Sequence, residues 1–304
     1  MTDFSDILLV SDFDRTLTAP DSTVPGKNLE AIRRFMERGG HFTVGTGRSA
    51  PMFRPYWQSI PTNAPLILYN GAAIYDYELR ELSGAVWMSG GRELLHYLNR
   101  NFPDLLLEIQ GEEAHYLIGD SPLREAFYRA QGVAYRSIPL SQAPERYHKL
   151  ALFGSFRSLD VGQFFSGTPE EDARFSECCR RIMQDWPELR ADRAAMRIVD
   201  LQDRRAGKGA AARALAERLG CGTLVCVGDA MNDASMLLEA DLAFAPGDCA
   251  PAIRELGCCR YVCPCGEGAV ADVIEALEGS AQAVAADSGR KTVRSPCSDS
   301  LLNL

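Results

Sequence analysis

Ile7-Leu8-Leu9-Val10-Ser11-Asp12-Phe13-Asp14-Arg15-Thr16-Leu17-Thr18 joins a short apolar, branched run to two carboxylates separated by one residue. The run reads as a buried strand, because strands covered on both faces show no polar alternation. In extended backbone, residues two apart point the same way, so Asp12 and Asp14 can face one small volume. Two crowded acids repel unless a cation joins them or one holds a proton. The pair therefore asks for a divalent metal, a proton-transfer role, or both. The plain alternative is a strand-ending turn, which Asp also favours.

Outward from this run the chain alternates strand and helix. Leu29, Ile32, Phe35 and Met36 form one apolar helical face, closed by Gly39-Gly40. His41-Phe42-Thr43-Val44 is a second strand ending in Gly45-Thr46-Gly47-Arg48, and a helix follows from about Ser49. Leu66-Ile67-Leu68-Tyr69 is a third strand, ending in Asn70-Gly71. The rhythm returns with a helix from Lys208 to Leu219 and a strand from Thr223 to Val227, which runs into Gly228-Asp229-Ala230-Met231-Asn232-Asp233. Helices at Ala234 to Glu239, Ala250 to Leu256 and Gly268 to Leu277 then alternate with strands at Leu242 to Phe244 and Arg260 to Val262. Such spacing predicts an α/β fold with a parallel, Rossmann-like sheet and right-handed crossovers.

Between these halves the pattern changes. Leu105 to Ile109 and His115 to Ile118 read as adjacent strands, and Leu150 to Phe153 and Met196 to Val199 as two more. Helices are expected near Gly91 to Asn101 and Glu170 to Trp186. Hairpins mixed with helices predict an inserted α+β module. The expected division is a core from 1–74 and 201–279, an insertion at 75–200, and a polar, flexible tail at 280–304.

The 304 residues are 46% hydrophobic and 24% charged, the make-up of an ordinary globular protein. A net charge of -9 argues against broad contact with nucleic acid or anionic lipid. No apolar run approaches the roughly 20 residues needed to span a bilayer, and the acidic start is unlike a signal peptide. The expectation is a cytoplasmic protein with no nucleic-acid or membrane partner. Its ten cysteines then read as reduced thiols. Cys258, Cys259, Cys263 and Cys265 lie close together but lack the paired spacing of a zinc site.

Each polar motif follows a predicted strand, the edge at which open parallel sheets bind ligands. Asp12 and Asp14 follow the first strand, Thr46 the second, Asn70 the third and Asp229 to Asp233 a later one; Lys208 opens a helix, where N–H dipoles favour an anion. Carboxylates, one lysine, one hydroxyl and loop amides suit a magnesium ion plus a phosphate. Arg48 reads equally as a substrate contact or a surface ion pair, and Asn70 as a substrate-side or structural hydrogen bond. His41, His96, His115 and His148 match no metal spacing, and Trp57, Trp87 and Trp186 read as packing.

Taken in order, Asp12-Phe13-Asp14-Arg15-Thr16, Thr46 within Gly45-Thr46-Gly47-Arg48, Lys208 and Gly228-Asp229-Ala230-Met231-Asn232-Asp233 resemble the haloacid dehalogenase-like (HAD) hydrolase superfamily. The resemblance spans about residues 6 to 278. The insertion resembles the cap of the Cof-type, class IIB (C2) subfamily, as do Asn70-Gly71-Ala72 and Gly266-Glu267-Gly268-Ala269-Val270. Arg15 departs from the commoner glycine, adding a cation or altering the turn.

The resemblance implies a magnesium-dependent phosphatase of a small phosphorylated metabolite, with sugar phosphates first and nucleotide- or cofactor-related monoesters behind. It makes Asp12 the nucleophile and Asp14 the general acid and base. Asp12, the Asp14 carbonyl and Asp229 would hold the metal, with Asn232 and Asp233 completing or orienting its shell. Thr46, Gly47, Arg48, Asn70 and Lys208 would lie around the phosphate. The rivals are a phosphomutase of the same superfamily and a catalytically silent binding or regulatory protein on the same scaffold.

Overall fold

The computed structural model describes residues 3–119, 121–154, 169–195 and 197–286. The apolar run becomes β1 (Ile7–Ser11), in which Leu8, Leu9 and Val10 are wholly buried. There follow α1 (Gly26–Glu37), β2 (His41–Val44), α2 (Ala50–Trp57) and β3 (Leu66–Leu68). A hairpin of β4 (Ala73–Asp76) and β5 (Glu81–Ser83) leads to α3 (Gly91–Asn101), β6 (Leu106–Gln110) and β7 (His115–Ile118). Next come α4 (Pro122–Gln131), β8 (Tyr135–Ile138), β9 (Lys149–Phe153), α5 (Pro169–Asp185), β10 (Leu189–Ala195) and β11 (Ile198–Asp203). The chain closes with α6 (Lys208–Leu219), β12 (Thr223–Val227), α7 (Ala234–Glu239) and β13 (Leu242–Pro246). α8 (Pro251–Glu255), β14 (Cys259–Val262) and α9 (Ala269–Ala286) complete it.

The core sheet is parallel, in the order β14-β13-β12-β1-β2. Because β1 lies between β2 and β12, successive connections leave it on opposite sides, which opens a crevice at its carboxyl end. Ser11 is level with both Val44 and Val227, so the residues that follow these three strands emerge side by side.

The insertion is built on a six-stranded sheet, β10-β11-β9-β6-β7-β8, antiparallel except where β7 meets β8. Alternation sorts its two faces. Leu107, Ile109, Leu150, Leu152 and Leu201 pack with Leu94, Leu98 and Ile182 of the helices behind it. Glu108, Gln110, Lys149, Ala151, Phe153, Ile198 and Asp200 take the other face, turned toward the carboxyl edge of the core sheet. A parallel α/β core with an inserted cap is the architecture expected from the sequence.

Three local readings change. β3 joins β4 and β5 in a small antiparallel sheet and is linked to the core sheet by a parallel bridge between Gly45 and Ile67. The cause is the turn after it: Asn70 (φ 52) and Gly71 (φ 89) reverse the chain, so β3 pairs with its own successor. A Cβ on Gly71 would also lie 2.2 Å from the Gly207 carbonyl oxygen, so only glycine fits. The strand expected at Met196 to Val199 is β11, with Met196 outside the described residues, and β10 before it went unread. Its Arg190, Asp192 and Arg193 are what an edge strand carries to discourage further pairing. Finally, α9 continues through Ser280, where the tail was expected, and the tail from residue 287 lies outside the described residues.

Candidate active site

Asp12 leaves β1 at the crevice, its N–H donating to the Val227 carbonyl at 2.9 Å, which fixes it beside the β12 loop. Lys208 opens α6 and is completely buried. Its Nζ donates to Asp12 Oδ1 and to Asp233 Oδ1, each at 2.6 Å. Asp233 Oδ2 accepts from the N–H groups of Asp229 (3.0 Å) and Ala230 (3.1 Å). Both oxygens of Asp233 are thus occupied, and it works as a brace that shapes the loop and holds Lys208. Asp229 Oδ1 accepts from Thr16 Oγ1 at 3.1 Å. The second oxygens of Asp12 and Asp229 have no comparable protein donor among the described residues.

Asp12, Asp229 and Asp233 offer carboxylate oxygens within 4.8 Å of one another. Three buried acids against one lysine leave the cluster short of positive charge. Burial first, then Asp233, push the Asp12 carboxyl well above the usual range, although Lys208 opposes this. The same two causes raise Asp229 to about 7. Burial would lower the Lys208 ammonium, but Asp12 and Asp233 outweigh it and keep it charged. Oxygen-rich, crowded and electron-rich, this donor set is compatible with a divalent cation. Among the described residues no cysteine belongs to a metal-type cluster. The Sγ atoms of Cys258 and Cys259 lie 3.7 Å apart, Cys265 Sγ donates to Asp248, and Cys297 lies outside those residues.

Asp14 takes a different path. Its side chain is 48% exposed and turns away from the acid cluster toward Arg48, whose Nε and Nη2 reach its two oxygens at 2.9 and 2.7 Å. Arg48 stacks over Phe13 and Tyr56, each ring centre 4.8 Å from Cζ. This is a built fork, with Arg48 largely buried and Asp14 half-exposed, rather than the surface ion pair considered from the sequence. Thr46 Oγ1 accepts from the Arg48 N–H at 3.1 Å, with its own proton left to donate. Asn70 links the loops: its Oδ1 accepts from Asn232 at 3.3 Å and its Nδ2 donates to Gln202 at 3.1 Å. A Cβ on Gly47 would lie 2.7 Å from Asn70 Oδ1, so a larger residue there would displace the Asn70 side chain. Arg15 adopts a left-handed backbone (φ 60), and its Nε lies 3.9 Å from Asp229 Oδ2.

Above these residues lies a cavity of about 820 Å³ whose roof is the polar face of the cap sheet. Asp12, Asp14, Thr46, Gly47, Arg48, Asn70, Asp229 and Asn232 line its floor, while Lys208 and Asp233 lie beneath. Sequence reading missed the roof, including Gln110, Arg124, Lys149 and Asp200. The signal was present as alternation: Lys149, Ala151 and Phe153 face one way and Leu150 and Leu152 the other. Lys149 Nζ ties roof to floor, donating to Asp200 Oδ2 at 2.6 Å and to the Gly47 carbonyl at 2.8 Å. His115 and His148 are fully buried away from the cavity. One lies 2.5 Å from Ser49 Oγ, and the other stacks on Trp87.

Residues 9–274 match the family model described as haloacid dehalogenase-like hydrolase. The HMP-PP phosphatase of Serratia proteamaculans is 24% identical over 253 residues, covering 82% of this chain and 86% of that protein. The pyridoxal phosphate phosphatase of Escherichia coli is 32% identical over a shorter stretch of 73 residues, 24% of this chain and 27% of that protein. Among solved structures, a subclass IIB sugar phosphatase superposes with a TM-score of 0.70 at 16% identity, covering 89% of this chain and 98% of that one.

Proposed function

The chain belongs to the haloacid dehalogenase-like hydrolase family, and from that premise we propose a magnesium-dependent phosphatase working through an aspartyl-phosphate. The observation that carries the reading is the Asp12–Lys208–Asp233 chain beside Asp229 at the floor of the cavity beneath the cap sheet. Asp12 Oδ2 is the attacking atom, because Lys208 occupies Oδ1 and orients the carboxylate. Its bond to phosphorus forms as the ester oxygen leaves, and water later breaks the acyl phosphate to return Asp12. Asp12, the Asp14 carbonyl and Asp229, with Asn232 alongside, would hold magnesium, which would supply positive charge against the phosphoryl oxygens.

Asp14 protonates the departing alcohol oxygen and then deprotonates the attacking water. For this Arg48 must release one Asp14 oxygen, and the phosphoryl group is the anion that competes for the guanidinium. The Thr46 hydroxyl and the Gly47 and Arg48 loop donate to the same oxygens. The cap limits water around the reacting atoms. A small phosphorylated metabolite fits the cavity. The relatives are named for a sugar phosphate, pyridoxal phosphate and HMP-PP, and a sugar phosphate or a cofactor-related phosphate ester is carried forward as the substrate class.

The test is phosphate release from p-nitrophenyl phosphate with and without magnesium. We expect activity that EDTA abolishes and that Asp12→Asn reduces by at least about 10³-fold, as for loss of a nucleophile. Full activity in Asp12→Asn or in EDTA would overturn the proposal. A bisphosphate requirement with little net hydrolysis would indicate the phosphomutase instead.

A further inference from the structure

Three side-chain amides run in series from the cap to the loop after β12. Gln202, on β11 of the cap sheet, is fully buried and lies outside the cavity lining. Its Nε2 donates to the Tyr69 carbonyl, and its Oε1 accepts from Asn70 Nδ2 at 3.1 Å. Asn70 Oδ1 in turn accepts from Asn232 Nδ2 at 3.3 Å. Asn232 lines the cavity together with Asp12 and Asp229.

The polarity of this series is fixed at the cap end. A backbone carbonyl only accepts, so Gln202 must turn its NH2 to Tyr69 and its oxygen to Asn70. The Arg190 guanidinium, which only donates, approaches that same oxygen at 3.4 Å and agrees with the setting. Asn70 must then give its NH2 to Gln202 and keep its oxygen for Asn232. Asn232 commits its NH2 to Asn70, and its Oδ1 is the end left for the cavity. Hard cations take oxygen ligands, or waters held by oxygen acceptors, and an amide NH2 in the same place would repel them. The backbone at the joint also needs holding. Tyr69 and Asn70 are successive left-handed residues (φ 52 each), a conformation that lasts only where its neighbours enforce it.

Building on the phosphatase reading, in which Asn232 flanks the magnesium site, we infer that Gln202 is a positioning residue for the metal loop. From the cap it sets the amide of Asn70, and through it the amide of Asn232, so that an oxygen faces the cation. Gln202 itself touches neither metal nor substrate. The cap thereby contributes to metal affinity as well as to the cavity roof.

The experiment measures manganese(II) binding to metal-free protein, with the free ion counted by electron paramagnetic resonance; manganese takes the oxygen ligands that magnesium takes. Asn232→Ala should raise Kd by about 10-fold or more, the range for groups around a metal's ligands. Gln202→Met, which keeps the bulk and removes both polar groups, should raise it by about 10-fold. Asn70→Gly cuts the series at its middle on a backbone that glycine accepts, so it tests the same link whether or not Gln202→Met folds. In the Asn232→Ala background neither further change should weaken binding by more than about twofold, because the group they act through is gone. A residue that merely supported the fold would add its full loss in either background. Folded Gln202→Met with an unchanged Kd, Asn70→Gly with an unchanged Kd, or losses that add in full to that of Asn232→Ala would each overturn the inference. Phosphate release from p-nitrophenyl phosphate is followed in parallel. The expected pattern of Kd values in a protein that hydrolyses nothing would defeat the phosphatase reading and leave this inference standing. No manganese binding by the wild type would overturn both.

Discussion

At the scale of single residues, Arg15 shows a cost that the sequence only hinted at. It sits at φ 60, where an L side chain costs about 1–2 kcal/mol. Its compensation is slight, since a side chain 57% exposed and 3.9 Å from Asp229 gains little from that pairing. Arg15→Gly should therefore stabilise the protein. The gain should be below about 1 kcal/mol, because glycine also loses more freedom on folding. A calorimetric Tm about 2 °C higher is expected, and a lower Tm would show that the Arg15 side chain matters more than its backbone. The same residue scale explains Asp233. Its type and place pointed to the metal, but its hydrogen bonds to Lys208 and two backbone amides were not legible without the folded loop.

At the scale of elements, β6 places Glu108 on the cavity face of the cap sheet, completely buried. Burial alone would raise its carboxyl, yet Arg124 and His115 hold it well below the ordinary range. A carboxyl depressed in the fold adds stability above its unfolded pKa of about 4.3, and that stability is lost as pH falls further. Glu108→Gln keeps the shape but removes the charge. The Tm gap between wild type and Glu108→Gln should be widest near pH 7 and narrow steadily below about pH 4. A gap independent of pH would show that the Glu108 charge contributes nothing. Elements whose own pattern dominated, such as β1, β2, α3 and α6, were readable from the sequence. β10 was not, because its charged residues suit an edge position that only the finished sheet defines.

At the scale of the whole molecule, the fold brings together Asp12, Lys208, Asp229 and Asp233, acids and lysine gathered from both ends of the chain. An acid raised in the fold, as Asp229 is to about 7, is most favourable below its unfolded pKa. Its contribution is then lost as pH climbs from about 4 to about 7, so the metal-free protein bears the full repulsion above that. A bound cation relieves the repulsion and must displace fewer protons at high pH. Magnesium should therefore raise Tm more at pH 8 than at pH 6, and an equal or reversed shift would argue against a cation at this cluster. Among the described residues, no helix is long and apolar enough to cross a membrane. The sequence by itself determined the strand-and-helix order, the α+β insertion and the set of residues on the core floor. Those follow from local periodicity and from motifs that each end a strand. Only the tertiary structure decided that Asp14 turns to Arg48, that Asp233 serves as a brace, and that Lys149 ties the cap sheet to the Gly47 carbonyl. Each of these depends on which groups from distant segments meet, and no local pattern encodes that meeting.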